Sequence, residues 1–312
     1  METATQIEEL GDAGGLALEV APALSEAAPS RWVDFYELTK PRMNFLVVVT
    51  TMVGYYMAAD GAADWLRVVY TLIGTALTAA GSSVFNQYIE RSLDLRMTRT
   101  ANRPLPGGRI KPIEAMAYGI VLSILGVAIL ALFVNTLTAA LGALTLLLYV
   151  FVYTPAKRRT SLCTIIGAIP GAIPPVMGFT AVQGVLSPQA MALFAILFFW
   201  QMPHFLAIAI LYRDDYARGG FMMLPVVDKR LEMTGRQIIL YSLSLVTVSL
   251  MPAIFGMAGV IYFVAALLLG IAFTGFGVVC ARSKTRADAR QLFLASIVYL
   301  PALLAAMMID KF

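Results

Sequence analysis

The chain has 312 residues, of which 59% are hydrophobic and 13% are charged. A soluble domain carries about 25% charged residues, so this composition excludes an ordinary soluble protein and predicts an all-α protein that crosses the membrane several times. The two cysteines, Cys163 and Cys280, lie in apolar runs without a CxxC motif, so zinc ribbons, c-type haem attachment and a disulfide framework lack support. We expect both cysteines to pack in the core, and we expect no nucleic-acid partner.

Residues 1–30 differ from the rest of the chain because their only charged side chains are acidic. We expect a disordered acidic tail here and a single membrane domain over residues 31–312. A secretory signal needs a basic start before its apolar core, and a mitochondrial presequence is rich in arginine, so neither fits. This favours the cytoplasmic membrane of a bacterium.

Nine stretches of this domain are apolar and close to the length of about 20 residues that a helix needs to cross the hydrocarbon core. We expect Pro170, Pro174 and Pro175 to interrupt and kink the fifth of them. The predicted spans are residues 43–60, 67–88, 113–134, 137–154, 162–182, 189–211, 237–257, 259–280 and 291–309.

Positive charge sets the expected orientation of these spans. Almost all Lys and Arg residues precede the first span or lie in the loops after spans two, four, six and eight, and the exceptions are Arg67 and Lys311. By the positive-inside rule, the N-terminus and these four loops are cytoplasmic and the C-terminus is external. Nine spans satisfy this asymmetry, whereas an even number does not.

The end of the second span carries the strongest chemical signal. Asn86, Glu90 and Asp94 recur every four residues, so on a continued helix their oxygen-bearing side chains share one face. Arginines lie among and after them at Arg91, Arg96, Arg99 and Arg103. Oxygen ligands beside arginines suit a divalent cation that bridges to phosphate oxygens, which predicts a diphosphate site at the membrane surface.

A second cluster follows the sixth span on the same side of the membrane. Asp214 and Asp215 are adjacent, so on a helix one could bind a metal while the other pairs with Arg213 or Arg218. Two acidic and basic clusters on one membrane face could close over a single substrate headgroup. An interfacial salt-bridge network without chemistry would give the same pattern.

Other polar residues are candidates because of their depth or spacing. His204, the only histidine, lies about two turns inside the membrane from Tyr212, where a polar group is a functional candidate, although a hydrogen-bonded core histidine is the alternative. Tyr149, Tyr153 and Lys157 recur every four residues at the end of the fourth span. Such tyrosines either anchor a helix at the interface or stabilise a cation through their π faces.

These motifs resemble the UbiA-type intramembrane prenyltransferases, and more closely the protohaem IX farnesyltransferase branch of that family. The resemblance covers about residues 33–309. Its main segments are Leu38-Thr-Lys-Pro-Arg42, Asn86-Gln with Glu90 and Asp94, Met97-Thr-Arg99-Thr, Asn102-Arg-Pro-Leu105, Tyr153-Thr-Pro with Lys157, Trp200-Gln-Met-Pro-His-Phe205 and Arg213-Asp-Asp-Tyr-Ala-Arg-Gly-Gly220. The DxxxD motif that is usual in the superfamily is absent, since Tyr212 and Tyr216 flank the second acidic pair.

The resemblance implies a bundle of nine transmembrane helices that opens laterally to lipid. The donor would be farnesyl diphosphate, the acceptor substrate protohaem IX (haem b) and the product haem O. Mg²⁺ would be held by Asn86, Glu90 and Asp94 together with Asp214 or Asp215. These five residues and His204, which would orient haem or manage the water that is added, form the expected catalytic set.

The expected diphosphate-binding residues are basic and lie at the cytoplasmic ends of the spans. They are Lys40, Arg42, Arg96, Arg99, Arg103, Lys157 and Arg218. The resemblance also implies the lipid bilayer as an environment, and a haem A synthase or oxidase assembly factors as partners.

Three other functions stay open. An aromatic prenyltransferase of the same fold would make a quinone or chlorophyll precursor, but the Pro-His-Phe segment and the missing DxxxD motif argue against it. A transporter would place charged residues along a path through the membrane, whereas the acids here cluster at one end. A structural assembly subunit of a terminal oxidase would show no turnover.

Overall fold

The computed structural model describes residues 30–61 and 64–312, so the expected acidic tail lies outside the described residues except for Ser30. The described residues form helices, with one isolated bridge between Ala258 and Lys311 and no strand. In chain order the helices are α1 (Arg31–Leu38), α2 (Pro41–Ala58), α3 (Trp65–Asp94), α4 (Pro112–Phe133), α5 (Thr136–Ala156), α6 (Cys163–Gln183), α7 (Pro188–Leu211), α8 (Arg213–Arg218), α9 (Leu224–Val227), α10 (Glu232–Ile254), α11 (Val260–Ser283) and α12 (Arg286–Ile309).

Among the described residues, eight helices are long and apolar enough to cross a membrane, namely α3 to α7 and α10 to α12. They coincide with eight of the nine predicted spans. The other predicted span, residues 43–60, falls in the 18-residue helix α2, whose first turn contains the polar residues Arg42 and Asn44. The all-α, multi-pass membrane fold is confirmed, and the count of nine spans stays a prediction.

Helix α2 packs against α6 so closely that only glycine fits at two points of contact. A Cβ atom at Gly178 would lie 1.9 Å from the Thr51 carbonyl oxygen, and one at Gly54 would lie 2.0 Å from the Pro175 carbonyl oxygen. Small residues let helix backbones approach in this way inside membrane bundles. The contact anchors α2, and the segment that enters the polar site directly precedes α2.

Helix α6 forms the centre of the bundle, packing against α2, α5 and α7, while α7 packs against α10 and α12. Every residue from 172 to 181 is buried. The helix continues without a break through Pro170, Pro174 and Pro175, so these prolines do not interrupt the fifth span, whereas the kink expected there stays a prediction. Surrounding helices pack around this segment, and such packing lets a membrane helix tolerate the backbone hydrogen bonds that its prolines remove.

The basic loops meet at one end of the bundle. The Met222 amide in the α7–α10 connection donates a 2.7 Å hydrogen bond to the carbonyl of Lys157, which follows α5. The same connection reaches α12 through an ion pair between Asp214 and Arg286. This agrees with the prediction that these loops lie on one side of the membrane.

The glycine contact between α2 and α6 yields a stability prediction. Gly178→Ala should lower the stability of the purified protein in detergent by about 1–3 kcal/mol, because the added methyl group meets a backbone carbonyl. The measurement is the midpoint of thermal unfolding. Gly275→Ala is the matched control, since no atom lies within 4 Å of its Cβ position, and it should be neutral or slightly stabilising. Equal midpoints for the two variants would contradict the packing argument.

Candidate active site

Three polar residues on one face of α3 each contact a cation from a different part of the chain. These three contacts, here called the paired ladder, lie at the basic end of the bundle. Lys40 Nζ donates to Asn86 Oδ1 at 2.7 Å, Lys157 Nζ to Glu90 Oε1 at 2.8 Å, and an Arg103 guanidinium nitrogen to Asp94 Oδ2 at 2.9 Å. The predicted helical face is therefore confirmed, and three of the predicted diphosphate-binding cations lie along it.

Lys40 has a left-handed backbone, with φ 50° and ψ 60°, which is uncommon for a residue other than glycine. The buried Gln87 side chain holds this segment, because its Nε2 donates a 2.8 Å hydrogen bond to the Leu38 carbonyl. Burial, together with the nearby charges of Arg103 and Lys157, lowers the pKa of Lys40 to about 7. The fold thus places a strained, easily neutralised lysine against Asn86.

Helix α5 widens into a π-helix over Leu148–Tyr153, directly before the residues that reach the paired ladder. Such segments are frequent at functional sites. Just beyond it, the Thr154 hydroxyl accepts a 3.2 Å hydrogen bond from Asn86 Nδ2. Burial lowers the pKa of Lys157, but the adjacent Glu90 carboxylate, together with Tyr153 and Tyr149, raises that pKa overall, so the ammonium group stays charged.

Two tyrosines of α5 form an aromatic wall beside the ammonium group of Lys157. Its Nζ lies 4.6 Å from the centre of the Tyr153 ring, which packs 5.2 Å from the ring of Tyr149. Gly167 provides the space, since a Cβ atom there would lie 2.5 Å from the Tyr153 ring. This arrangement favours a cation facing the π system over simple anchoring at the interface.

The Asp94 carboxylate supplies the clearest test of whether a metal ion fits. Its side chain is 1% exposed, and its Oδ1 atom is buried with no hydrogen-bond partner, while Oδ2 accepts from Arg103. Buried carboxylate oxygens normally have a partner, and a hard cation would supply one. With Asn86 and Glu90 on the same face, the oxygen donor set fits Mg²⁺.

Asp215 lies against the loop that follows α3 and does not approach the paired ladder as a metal ligand. Its carboxylate pairs with Arg218 and accepts a 3.3 Å hydrogen bond from the Thr98 amide. Arg218 also donates to the Thr98 hydroxyl at 3.1 Å. The two predicted clusters therefore do meet, and the contact is between their loops.

Asp214 points away from this contact and pairs with Arg286 on the exposed surface. Within residues 30–61 and 64–312, no three acidic, histidine or cysteine side chains come close enough to form a metal site by themselves. The structure thus brings together the predicted ligands of α3, and it separates Asp214 from them.

The remaining predicted cations lie at the rim of the site. Arg42 and Arg96 are exposed. The Arg99 guanidinium lies 5.2 Å from the centre of the Tyr212 ring, which also connects the α3–α4 loop to the end of α7. Within the described part of the chain, none of these three pairs with a buried carboxylate as Arg103 and Lys157 do.

His204 lies deep in α7 and contacts α12. Its Nδ1 is 2.7 Å from the Ser296 hydroxyl, and its ring stacks on Trp200 with 4.8 Å between ring centres. The Trp200 indole also donates to the Ser296 carbonyl at 2.8 Å. The histidine is therefore hydrogen-bonded in an aromatic pocket, and the structure does not bring it to either charged cluster.

Sequence reasoning missed Gln87, Thr154 and Thr98. Gln87 and Thr154 each contribute one hydrogen bond to this arrangement, and Thr98 contributes two, one to Asp215 and one from Arg218. Gln87 directly follows Asn86, and this position was the one feature of the sequence that could have indicated a role for Gln87 in the site.

A profile of the UbiA prenyltransferase family matches residues 47–300, which include α3 and most of the other membrane helices. The chain belongs to the UbiA prenyltransferase family. The resemblance inferred from the motifs is thereby confirmed.

Relatives in this family are similar over nearly their whole length. The chain is 48% identical to the protoheme IX farnesyltransferase of Solibacter usitatus (strain Ellin6076) over 287 residues, which cover 89% of this chain and 98% of the relative. It is 41% identical to the protein of the same name in Myxococcus xanthus (strain DK1622), covering 93% and 98% of the two chains.

Solved structures share the fold at low sequence identity. A digeranylgeranylglyceryl phosphate synthase matches with a TM-score of 0.74 at 18% identity, covering 89% of this chain and 98% of that chain. A UbiA homologue from Archaeoglobus fulgidus, bound to DMAPP and Mg²⁺, matches with a TM-score of 0.63 at 18% identity, covering 88% and 99%. These two matches confirm the UbiA-type helical fold.

The hydrogen bond from Gln87 to the Leu38 carbonyl predicts a selective defect. Gln87→Leu should raise the KM for the prenyl diphosphate about tenfold, because an unsatisfied buried carbonyl costs about 1–3 kcal/mol and frees the segment that holds Lys40. The measurement is the KM for each substrate.

Gln183→Leu is the matched control for this experiment. Gln183 makes the same kind of 2.8 Å bond, to the Ala58 carbonyl at the opposite end of α2. An equal rise in KM for both variants would show that Gln87 acts on general stability.

Proposed function

We propose that the protein transfers the farnesyl group of farnesyl diphosphate to a vinyl group of haem b, with addition of water, to give haem O and diphosphate. The observation that carries this proposal is the paired ladder, which places three cations against oxygen ligands at one end of an apolar membrane bundle. The name borne by relatives up to 48% identical supports haem as the acceptor.

The first requirement of the reaction is to stabilise the leaving diphosphate. Lys40, Lys157 and Arg103 are held along one face of α3, and their remaining N–H groups can donate charge-assisted hydrogen bonds to diphosphate oxygens. Mg²⁺ held by Asn86, Glu90 and Asp94 would add positive charge next to the same leaving group.

The second requirement is a dry chamber for the allylic cation that forms when the C–O bond to diphosphate breaks. The apolar helices exclude water, and Tyr149 and Tyr153 present π faces next to Lys157. The terminal carbon of the haem vinyl group attacks the first carbon of the farnesyl cation. Water then adds to the carbon next to the porphyrin, and its proton leaves to solvent, which gives a hydroxyethylfarnesyl group.

The second cluster acts by joining loops. Asp215 and Arg218 connect the α7–α10 segment to Thr98 in the loop after α3, next to the proposed diphosphate site. We assign Asp215 this positioning role and leave Asp214 outside the site. His204, held by Ser296, lies in the aromatic interior where it would contact the haem or the water that is added.

The setting follows from charge and composition. We propose a bacterial cytoplasmic membrane, with the basic end and the N-terminus cytoplasmic and the C-terminus external. The product would pass to an enzyme or assembly factor that uses haem O, such as a haem A synthase.

The reaction is tested directly with the purified protein in detergent, haem b, farnesyl diphosphate and Mg²⁺, with and without EDTA. We expect a haem product that is heavier than haem b by one farnesyl group and one hydroxyl group, and we expect EDTA to abolish it. Mass spectrometry of the extracted haems is the measurement. If intact protein and substrates give no such product while a quinone precursor is prenylated instead, the acceptor assignment is wrong.

Substitutions of the α3 carboxylates should separate catalysis from folding. Glu90→Gln and Asp94→Asn should each lower kcat/KM about a hundredfold or more, since one lost electrostatic contact in such a site costs about 3 kcal/mol. The readouts are initial rates and the yield of folded protein. Arg286→Ala, at an exposed ion pair, should keep most of the activity. A similar loss in all three variants would point to folding.

The two adjacent aspartates should behave differently. Asp215→Asn should lower activity at normal expression, because it removes a carboxylate that joins Arg218 to the Thr98 amide. Asp214→Asn should retain activity, because its carboxylate faces Arg286 on the surface. The opposite ranking in the same rate assay would restore Asp214 as the functional member of the pair.

A further inference from the structure

A cavity of about 340 Å³ lies beside the paired ladder, between α3 and the end of α5. Glu90 of the ladder forms part of its wall, so the cavity is adjacent to the proposed diphosphate site. The lining combines apolar and basic residues, including Ile89, Leu93, Pro155, Arg158 and Arg159.

The two arginines are the unusual part of this lining. Both are exposed, and neither forms an ion pair with an acidic residue in the described part of the chain. By contrast, Arg103, Arg218 and Lys157 at the same end of the bundle each pair with a carboxylate. The cavity therefore presents two free guanidinium groups next to an apolar surface.

We propose that this cavity binds the two propionate carboxylates of the haem acceptor through Arg158 and Arg159, an inference that rests on the proposed function. Arginine binds carboxylate with two parallel hydrogen bonds, and two arginines match two carboxylates. The apolar residues Ile89, Leu93 and Pro155 suit the edge of the porphyrin ring. The prenyl diphosphate does not need these arginines, since Lys40, Lys157 and Arg103 already face its site.

This arrangement also explains how an amphiphilic acceptor is oriented. Haem carries its propionates on one side of the ring and its vinyl groups on the other. Binding the charged side at the basic end of the bundle directs the vinyl groups towards the apolar interior, where the farnesyl cation forms. Arg158 and Arg159 would therefore select acceptors that carry carboxylates and set the direction in which they enter.

The test combines a change in the protein with a change in the acceptor. Arg158→Gln/Arg159→Gln is compared with the wild type using haem b and using haem b dimethyl ester, whose propionates are uncharged. In the wild type, esterification should raise the KM for the acceptor about tenfold or more, as expected for lost charge-assisted bonds. In the double variant, both acceptors should show that same raised KM, while kcat and the KM for farnesyl diphosphate stay within about twofold.

The matched control removes the same number of positive charges from the same end of the bundle. Arg282→Gln/Arg290→Gln changes two exposed arginines of α11 and α12 and should leave both KM values as in the wild type. An equal rise for this control would show a general effect of charge and overturn the proposal. An unchanged acceptor KM in the Arg158/Arg159 variant would also overturn it.

Two further outcomes separate the cavity from other ligands and from the proposed function. A rise in the KM for farnesyl diphosphate alone would assign the cavity to the diphosphate instead. The wild-type protein is assayed first. If it makes no haem O from haem b, the proposed function is wrong, whatever the variants show.

Discussion

The rest of the site depends on one constraint, namely that two carboxylates are buried at the end of a membrane helix. Glu90 and Asp94 have side chains only 6% and 1% exposed. A buried charge without a partner costs several kcal/mol, so each carboxylate requires a cation. The chain supplies those cations from outside α3: Lys157 comes from the end of α5 and Arg103 from the loop before α4. Assembly of the bundle and assembly of the site are therefore one event.

The same constraint explains why these cations suit diphosphate chemistry. A cation that already neutralises a buried carboxylate is held in place before the substrate arrives, so little reorganisation remains when charge develops on the leaving group. Lys40 is the exception, because its partner Asn86 is neutral and its pKa is lowered to about 7 by burial and by neighbouring cations. A diphosphate bound next to Lys40 would place negative charge beside its amino group, which would raise the pKa of Lys40 and favour its charged form.

Local periodicity was enough to predict part of this arrangement. Asn86, Glu90 and Asp94 are spaced by four residues, and residues with that spacing lie on the same face of an α-helix. The apolar spans were predictable from a different local signal, the length of each apolar stretch. The pairing of each oxygen with one particular cation was not, because Lys40 is 46 residues and Lys157 is 67 residues from its partner. The adjacency of Asp214 and Asp215 predicted that they would diverge, but which one faced Thr98 depended on how α8 is oriented against the loop after α3.

The distribution of polar groups along the membrane normal distinguishes the competing functions. A transport path needs charged groups through the thickness of the bundle, whereas the paired ladder, the joined loops and the exposed arginines all lie at its basic end. Beyond that end, the buried polar side chains of the described membrane helices are uncharged, as at Gln201 and Ser242, and His204 is held by Ser296 among aromatic rings. A substrate with an anionic head and a long hydrocarbon tail fits this division, with its head at the ladder and its tail among the helices. The bond between head and tail would then lie where the charged and apolar regions meet, which is where its cleavage requires both a neutralised leaving group and the exclusion of water.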